Sequence, residues 1–205
     1  METYRDDHTS IDADPKERFD YHGAGLAGSG GSSYIDRVIL RDRDHNSGWS
    51  SAADGTLEER VYLLQNWRAD VVAIILPNGG PQMYYRYDAY GEAFAIHAGD
   101  IDGDGDVEAA DFTELATMSG FDQRGDFADG FGTAGPDGVV DFGDSLWLLG
   151  QTGTYGRGYV ASQAKAFGGL RKLYAGYELD PHLAGTKYHV RNRVFDAEAM
   201  SPCDN

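Results

Sequence analysis

Six acidic residues stand at short, regular intervals near the middle of the chain, and they are Asp100, Asp102, Asp104, Asp106, Glu108 and Asp111. Counted from Asp100 as position 1, these side chains fall at positions 1, 3, 5, 7, 9 and 12, with Gly105 at position 6 and Val107 at position 8. Calcium is a hard cation that takes about six to eight oxygen ligands. Alternate side chains of a tightly wound loop converge on one point, so this spacing predicts a calcium site.

The first half of the run supplies the side-chain ligands and the turn. Asp100, Asp102 and Asp104 offer carboxylate oxygens, and Gly105 permits a sharp turn because it has no Cβ that would clash. Without a cation, carboxylates this close together repel one another strongly. Magnesium fits this set of residues less well, since it requires fewer ligands in strict octahedral geometry.

The second half of the run completes the expected shell of ligands. The main-chain carbonyl of Asp106 adds an oxygen, Glu108 acts directly or through water, and Asp111 closes the shell at position 12. The ordinary EF-hand pattern has Glu at that last position. The competing interpretation is a degenerate loop of the same shape that has lost its ion.

A second group of acids repeats part of this pattern, and its members are Asp137, Asp141 and Asp144. With Gly138 taken as position 6, they occupy positions 5, 9 and 12. Positions 1 and 3 then fall on Thr133 and Gly135, which are poor ligands, while Asp129 reaches the site only across an enlarged loop. Whether this second loop holds calcium stays open at the level of the sequence.

The negative charge of the chain is concentrated around these two groups. The 205 residues carry a formal net charge of −17, and residues 98–151 hold 13 acidic side chains and one basic side chain, a net charge of −12. Nucleic-acid binding requires clustered Lys and Arg to replace counterions, so this composition excludes it and disfavours anionic membrane surfaces. No apolar run is long enough to span a bilayer, no signal peptide is recognisable in residues 1–7, and the single Cys203 forbids an internal disulfide.

Helices are predicted behind both acidic loops. Phe112, Leu115 and Met118 recur at three-residue steps after the first loop and predict one apolar helix face that ends near Gly120. A second apolar run at residues 146–149 follows the second loop.

Strands are predicted on the N-terminal side of the acidic stretch, and the β-prone runs are residues 34–41, 61–64, 71–76, 82–87 and 92–96. Asn78-Gly79-Gly80 lies between two of them and is a strong hairpin signal. Residues 42–55 have the composition of a polar loop, in which Asp42, Asp44 and Asp54 are better explained by solvation than by a further ion site.

The two loop–helix units together resemble a type I dockerin module. The motifs that carry the resemblance are residues 100–111 and 137–144. Dockerins bind calcium and dock onto cohesin modules, which attaches secreted enzymes to scaffolds. In that family, positions 10 and 11 of each loop contact the cohesin, often through hydroxyl groups. Here those positions hold Ala109-Ala110 and Phe142-Gly143, none of which carries a hydroxyl group. The resemblance therefore implies calcium binding first and cohesin docking as the alternative.

The segments on either side of the acidic stretch resemble a second family. Tyr85-Arg86-Tyr87-Asp88-Ala89-Tyr90-Gly91 has the Tyr-x-Tyr-Asp-x-x-Gly form of YD repeats, and residues 173–196 resemble the start of the RHS repeat-associated core. This family winds short tyrosine-rich hairpins into a large β-shell on surface or secreted bacterial proteins, and the shell often encloses a toxin. The aspartates with which some members cut themselves have no counterpart after Asp196, so the resemblance implies a chain that is not an enzyme.

These observations predict a mostly β fold, a fragment of a β-shell of YD-repeat hairpins, with a small α-helical, dockerin-like EF-hand pair inserted. The predicted divisions are a flexible N-terminal segment (1–33), YD-repeat hairpins (34–97), the calcium-binding module (98–151), a linker (152–172), the start of the RHS core (173–196) and a tail (197–205). The predicted function is non-enzymatic calcium binding that orders the insert. The expected partners are calcium and either the rest of an RHS shell or a cohesin-like protein, at an extracellular or cell-surface location.

Overall fold

The computed structural model describes residues 2–4, 10–21, 38–45, 51–120, 122, 124–128, 132, 135–154, 156–160, 170, 172–179, 186–190 and 193–197. These residues form a mostly β fold of two antiparallel sheets and two short α-helices. The predictions for Asp129 and Thr133 lie outside the described residues.

The larger sheet is a meander of eight strands in which every strand pairs antiparallel with its neighbours in the chain. The strands are β1 Glu2–Thr3, β2 Glu17–Tyr21, β3 Val38–Arg43, β4 Glu59–Gln65, β5 Val71–Ile75, β6 Pro81–Tyr87, β7 Ala93–His97 and β8 Arg157–Tyr159. Alternation along β4 sets its orientation, because Val61 and Leu63 are buried while Tyr62 and Leu64 face outward. β1 and β2 lie within the segment predicted to be a flexible N-terminus (1–33), and β8 lies within the predicted linker (152–172).

Two tight hairpins connect the central strands. Between β5 and β6, Gly79 adopts a φ of +92° and Gly80 donates its N–H to the Asn78 side chain at 2.9 Å, which agrees with the hairpin signal in the sequence. Between β6 and β7, the Asp88 carboxylate accepts the N–H groups of Tyr90 and Glu92 at 2.8 and 2.9 Å. The Tyr-Asp motif is thus the turn of a hairpin.

A smaller sheet of three strands, β9 Glu178–Leu179, β10 Lys187–Val190 and β11 Arg193–Asp196, contributes to the same core. A short 3-10 helix, Tyr174–Gly176, leads into it. Tyr174 packs its ring among those of Tyr87, Tyr188 and Phe195, with centroids 5.8 to 6.3 Å away. A Cβ at Gly91 would lie 2.6 Å from the Tyr174 ring, so the glycine of the β6–β7 turn makes room for it. The two segments that carry the RHS and YD resemblance therefore meet in space.

The acidic stretch lies between β7 and β8, which are paired neighbours in the larger sheet. It contains both α-helices, α1 Ala109–Leu115 and α2 Phe142–Gln151. Its own apolar cluster is separate from the core between the sheets and includes Val107, Leu115, Phe127, Trp147 and Leu148. Phe112 and Met118 pack against that cluster beside Leu115, as their spacing predicts, although α1 ends at Leu115 and the chain continues as a turn.

The described part of the chain contains no helix that is long and apolar enough to cross a membrane.

Ion pairs run across the outward face of β2, β3 and β4. Arg18, Asp42 and Arg60 stand side by side in the register, and the Asp42 carboxylate receives Arg18 Nη2 at 2.6 Å and Arg60 Nε at 2.7 Å. Asp42 is only 3 % exposed, so its charge depends on these partners. Residues 42–55 were predicted to be a polar loop, but the first two of them, Asp42 and Arg43, belong to β3.

We expect Asp42→Asn to lower the free energy of unfolding by about 1–3 kcal/mol at neutral pH, because two charge-assisted hydrogen-bond partners lose their acceptor. Hydrogen bonds from Arg60, and then from Arg18, hold the pKa of Asp42 below its ordinary value of 3.8. This stabilisation is complete above 3.8 and is lost as pH falls through the folded-state pKa, so the variant and the wild type should converge in acid. Urea denaturation at several pH values tests this, with Asp20→Asn on the same face as the control; equal losses for both variants would contradict it.

Candidate metal centre

Three of the predicted ligands converge at the start of the acidic stretch. Asp100, Asp102 and Asp104 each place a carboxylate oxygen within 4.8 Å of the other two. Asp100 is buried, while Asp102 and Asp104 are exposed. The cluster is open to solvent on one side, and hard oxygen donors of this kind suit a hard divalent cation.

Hydrogen bonds between side chain and backbone wind this loop. The Asp100, Asp102 and Asp104 carboxylates accept the N–H groups of Gly103, Asp104 and Asp106 at 2.9, 3.0 and 3.1 Å. Gly103 and Gly105 have φ values of +89° and +115°, a region that favours glycine. Asx-type turns in series bring alternate side chains together, which is the local reason for the observed convergence.

Asp111, predicted from the sequence as the last ligand of the shell, binds the backbone of its own loop in this structure. Its side chain is fully buried, and its two oxygens accept the N–H groups of Ile101 at 2.6 Å, Asp102 at 3.2 Å and Glu108 at 2.8 Å. The bond from Glu108 is half of a capping box at the start of α1. Asp111 therefore fastens both ends of the loop. Among the described residues, the group within 4.8 Å consists of the three aspartates, without Asp106, Glu108 or Asp111.

The second loop repeats this fastening. Asp144 is also fully buried, and it accepts the N–H groups of Phe127 at 2.6 Å, Ala128 at 2.9 Å and Asp141 at 2.7 Å. Phe127 and Ala128 therefore correspond to Ile101 and Asp102, and Asp141 corresponds to Glu108. Asp141 is likewise the N-cap of its helix, within a second capping box.

This correspondence identifies Asp126 as the first residue of the second loop. Asp126 is 5 % exposed, and its carboxylate accepts the N–H groups of Asp137 and Gly138, both at 3.0 Å. The spacing of the acids in the sequence does not reveal Asp126, because an insertion separates it from Asp137. The detectable signal is an acid followed by an apolar residue, as in Asp100-Ile101. The third position is Ala128, which offers no side-chain ligand.

Each loop is also bonded to the chain that follows the other helix. Val107, at position 8 of the first loop, donates its N–H to the Thr154 carbonyl at 3.1 Å and accepts the Gly153 N–H at 2.9 Å. Val140, at position 8 of the second loop, donates its N–H to the Gly120 carbonyl at 2.9 Å. Phe127 and Trp147 of the second unit stack with ring centroids 4.4 Å apart, and they share one apolar cluster with Val107 and Leu115 of the first unit. The two units thus form one interlocked module.

One basic side chain reaches into the first loop. Arg157, the first residue of β8, places its Nε 2.6 Å from Asp100 Oδ2 and its Nη2 3.4 Å from the Asp100 carbonyl. A Cβ at Gly156 would lie 2.4 Å from Asp100 Oδ2, so only glycine fits against this carboxylate. The guanidinium supplies a positive charge beside Asp100, the buried member of the carboxylate cluster.

A histidine lies at the base of the module. Burial lowers the pKa of His97 from its ordinary value of 6.5, against the opposing effect of the nearby Asp100. Its Nδ1 accepts the Gly99 N–H at 3.0 Å, and its ring stacks on Trp147. His97 is therefore a neutral packing residue at neutral pH.

A second group of acids, Asp44, Asp54 and Glu58, also lies within 4.8 Å. Each of these carboxylates has a partner within the fold. Asp44 forms a buried ion pair with Lys16 at 3.0 Å. Asp54 accepts the Thr56 N–H at 2.8 Å, and Glu58 accepts the His45 N–H at 3.1 Å. This cluster is accounted for by the fold of the loop.

We expect Asp144→Asn to lower the free energy of unfolding by about 2–3 kcal/mol without any added metal, because an amide places a donor against buried N–H groups that need an acceptor. Asp106→Asn is the matched control, since it removes a carboxylate that is exposed in the same module. Denaturation in the presence of a chelator tests this; a control variant as unstable as Asp144→Asn would contradict the fastening role.

The chain matches no protein-family model, and no match is found for it among curated proteins or solved structures. The assignment of a function therefore rests on the geometry of the module and on the motifs of the sequence.

Proposed function

We propose that this chain is a non-enzymatic, calcium-binding structural fragment of an RHS repeat-associated core protein, in which calcium orders a dockerin-like insert. The observation that carries the proposal is the convergence of Asp100, Asp102 and Asp104 within 4.8 Å. Their spacing in the chain is that of a calcium loop, and their oxygens are the ligands that calcium prefers.

The residues present fit such an ion. The three aspartates would hold it together with the main-chain carbonyl of Asp106, and solvent reaches the exposed side where Asp102 and Asp104 lie. Residues 98–151 carry one basic side chain against 13 acidic ones, so a bound divalent cation would relieve the repulsion among them. Binding to the folded chain alone would stabilise it in proportion to the logarithm of calcium concentration over Kd.

The repeated hydrogen-bond pattern supports a pair of EF-hand-like units. Asp111 and Asp144 fasten their loops in the same way. Val107 and Val140 each donate a backbone N–H to the segment that follows the helix of the other unit. In the second loop, Asp126, Asp137, Asp141 and Asp144 provide the acidic positions. Ala128 at the third position leaves that loop with fewer ligands, so we propose that the first loop is the stronger site.

The position of the module supports a structural role for calcium. The module connects β7 to β8, and its two ends meet where His97 donates its N–H to the Gly156 carbonyl at 2.5 Å. An ion that orders the module would therefore fix the edge strand β8 of the larger sheet. The tyrosine-rich hairpin and the segment around Tyr174 support the RHS resemblance, which in turn implies an extracellular or cell-surface location.

Calcium titration of the full chain, followed by calorimetry and circular dichroism, tests the proposed function. We expect saturable binding with a gain of ordered structure, and we expect Asp104→Ala to lose at least about tenfold in affinity, since one of the converging ligands is removed. Asp106→Asn should bind as the wild type does, because that position contributes its carbonyl. The absence of any binding heat would refute the calcium site, and equal losses in both variants would show that the ligands are wrongly assigned.

A second candidate function, the docking of a cohesin-like protein, is favoured by the surface of α2. Phe142, Leu146 and Leu149 share one face of this helix and are 69 %, 40 % and 59 % exposed. Exposed apolar side chains grouped in this way are typical of a protein-binding surface. The face begins at positions 10 and 11 of the second loop, which contact cohesin in the dockerin family.

We expect a panel of cohesin modules to capture the full chain in a calcium-dependent manner if this second function holds. Leu149→Asp should then abolish capture, because a charge on the apolar face opposes its desolvation. Val194→Asp, which alters an exposed apolar residue in the smaller sheet, is the control. Pull-down with and without chelator gives the measurement, and no capture by any module would leave the structural function alone.

A further inference from the structure

We propose that Arg157 is a tethered cation that takes the place of the metal at Asp100 and thereby lowers the calcium affinity of the first loop. This inference rests on the proposed function and specifies how that site is regulated. Arg157 belongs to β8, outside the run of acids, so the spacing of the ligands alone does not point to it.

The contact between Arg157 and Asp100 is close and largely shielded from water. Arg157 Nε lies 2.6 Å from Asp100 Oδ2, and the Asp100 side chain is 0 % exposed while that of Arg157 is 32 % exposed. Nη2 also reaches the Asp100 carbonyl at 3.4 Å. A charge-assisted hydrogen bond to a buried carboxylate is stronger than a solvated surface pair.

The loop has space for this guanidinium because glycines surround it. A Cβ at Gly103 would lie 3.0 Å from Arg157 Nη2 and 3.1 Å from Nη1, and one at Gly105 would lie 3.9 Å from Cγ. Gly156 lets the backbone of β8 touch Asp100. The main-chain N–H groups of Gly156 and Arg157 both donate to the Gly105 carbonyl, at 2.8 and 3.3 Å. The same backbone contacts that attach β8 to the loop also place the guanidinium.

Arg157 and a bound cation compete for the same carboxylate. Asp100 Oδ1 already accepts the Gly103 N–H at 2.9 Å, and Oδ2 is held by Arg157. A metal ion that takes Asp100 must therefore displace the guanidinium or lie beside its positive charge. Both alternatives weaken binding, and Coulomb repulsion at this distance corresponds to roughly tenfold or more in affinity, even when it is partly screened by solvent.

The competition has a useful consequence for the cation-free chain. Arg157 offsets part of the repulsion among Asp100, Asp102 and Asp104 before any ion arrives, and calcium completes the ordering of the loop. Occupancy of the loop is at the same time linked to β8, because Arg157 pairs with Ile96 across the sheet edge. The loop exchanges an internal cation for an external one.

Calcium binding by the full-length Arg157→Gln variant tests this inference. We expect the variant to bind calcium about tenfold more tightly than the wild type, or more, and to melt at a lower temperature in chelator. Arg124→Gln is the matched control, since it removes the same charge from the module, and its described ion pairs are with Asp122 and Glu114. The control should change the calcium Kd by less than about threefold, because exposed pairs are weak and screened.

The outcomes separate the inference from the proposed function. If the wild type binds calcium and the Kd of Arg157→Gln is equal to or higher than that of the wild type, the inference is overturned and the calcium site stays in place. A failure of both proteins to bind would overturn the two together. Binding by Arg157→Gln alone would support the inference, since the guanidinium then blocks the loop. If the variant folds only with calcium bound, chelator competition gives its Kd, and that requirement supports the role of Arg157 as an internal cation.

Discussion

Carboxylates crowded into a short stretch of chain repel one another, and the acidic module depends on how that repulsion is compensated. The deepest carboxylates, Asp111 and Asp144, are each compensated by three backbone N–H groups, which satisfy them without any cation. The carboxylates of Asp100, Asp102 and Asp104 have fewer backbone donors and lie within 4.8 Å of one another. At Asp100, compensation by the backbone gives way to compensation by a side chain, the Arg157 guanidinium.

The sequence was informative wherever a local rule decides the structure. Runs of β-prone residues predicted β4 to β7 and part of β3, because β-branched and aromatic side chains suit a half-buried pleated surface. The spacing of the acids predicted the winding of residues 100–106, which depends on hydrogen bonds between neighbours. Strands β1 and β8 to β11 have four residues or fewer, and these strands, like β2, depend on pairing partners that no local pattern encodes. Asp126 was missed for a related reason: an insertion breaks the spacing, and its place at the start of the second loop follows from the bonds of Asp144 to Phe127 and Ala128.

The interface between the sheets explains why the segments on the two sides of the module depend on each other. Tyr174, from the segment after the module, lies against Tyr87 and Gly91 from the hairpin before it. Tyr188 donates its hydroxyl to the Gly91 carbonyl at 2.8 Å, and Arg68 lies over the Tyr174 ring. Such aromatic contacts bury large apolar areas while the polar ends find partners. The tyrosines are therefore packing residues that join two distant parts of the chain, and the glycine of the turn is what allows them to approach.

The position of the module between β7 and β8 brings the acidic loop into contact with the edge of the larger sheet. β7 and β8 pair as a hairpin, and the whole module is the connection between them. A connection of this length carries an entropic cost of closure unless its own ends are held together. The bonds of Val107 to Gly153 and Thr154, and of His97 to Gly156, hold those ends, and all of them lie beside the carboxylate cluster. Asp100 therefore lies at the end of the module where β7 and β8 begin to pair. Because Arg157 is both the first residue of β8 and the ion-pair partner of Asp100, a single residue joins the acidic loop to the edge of the described sheet.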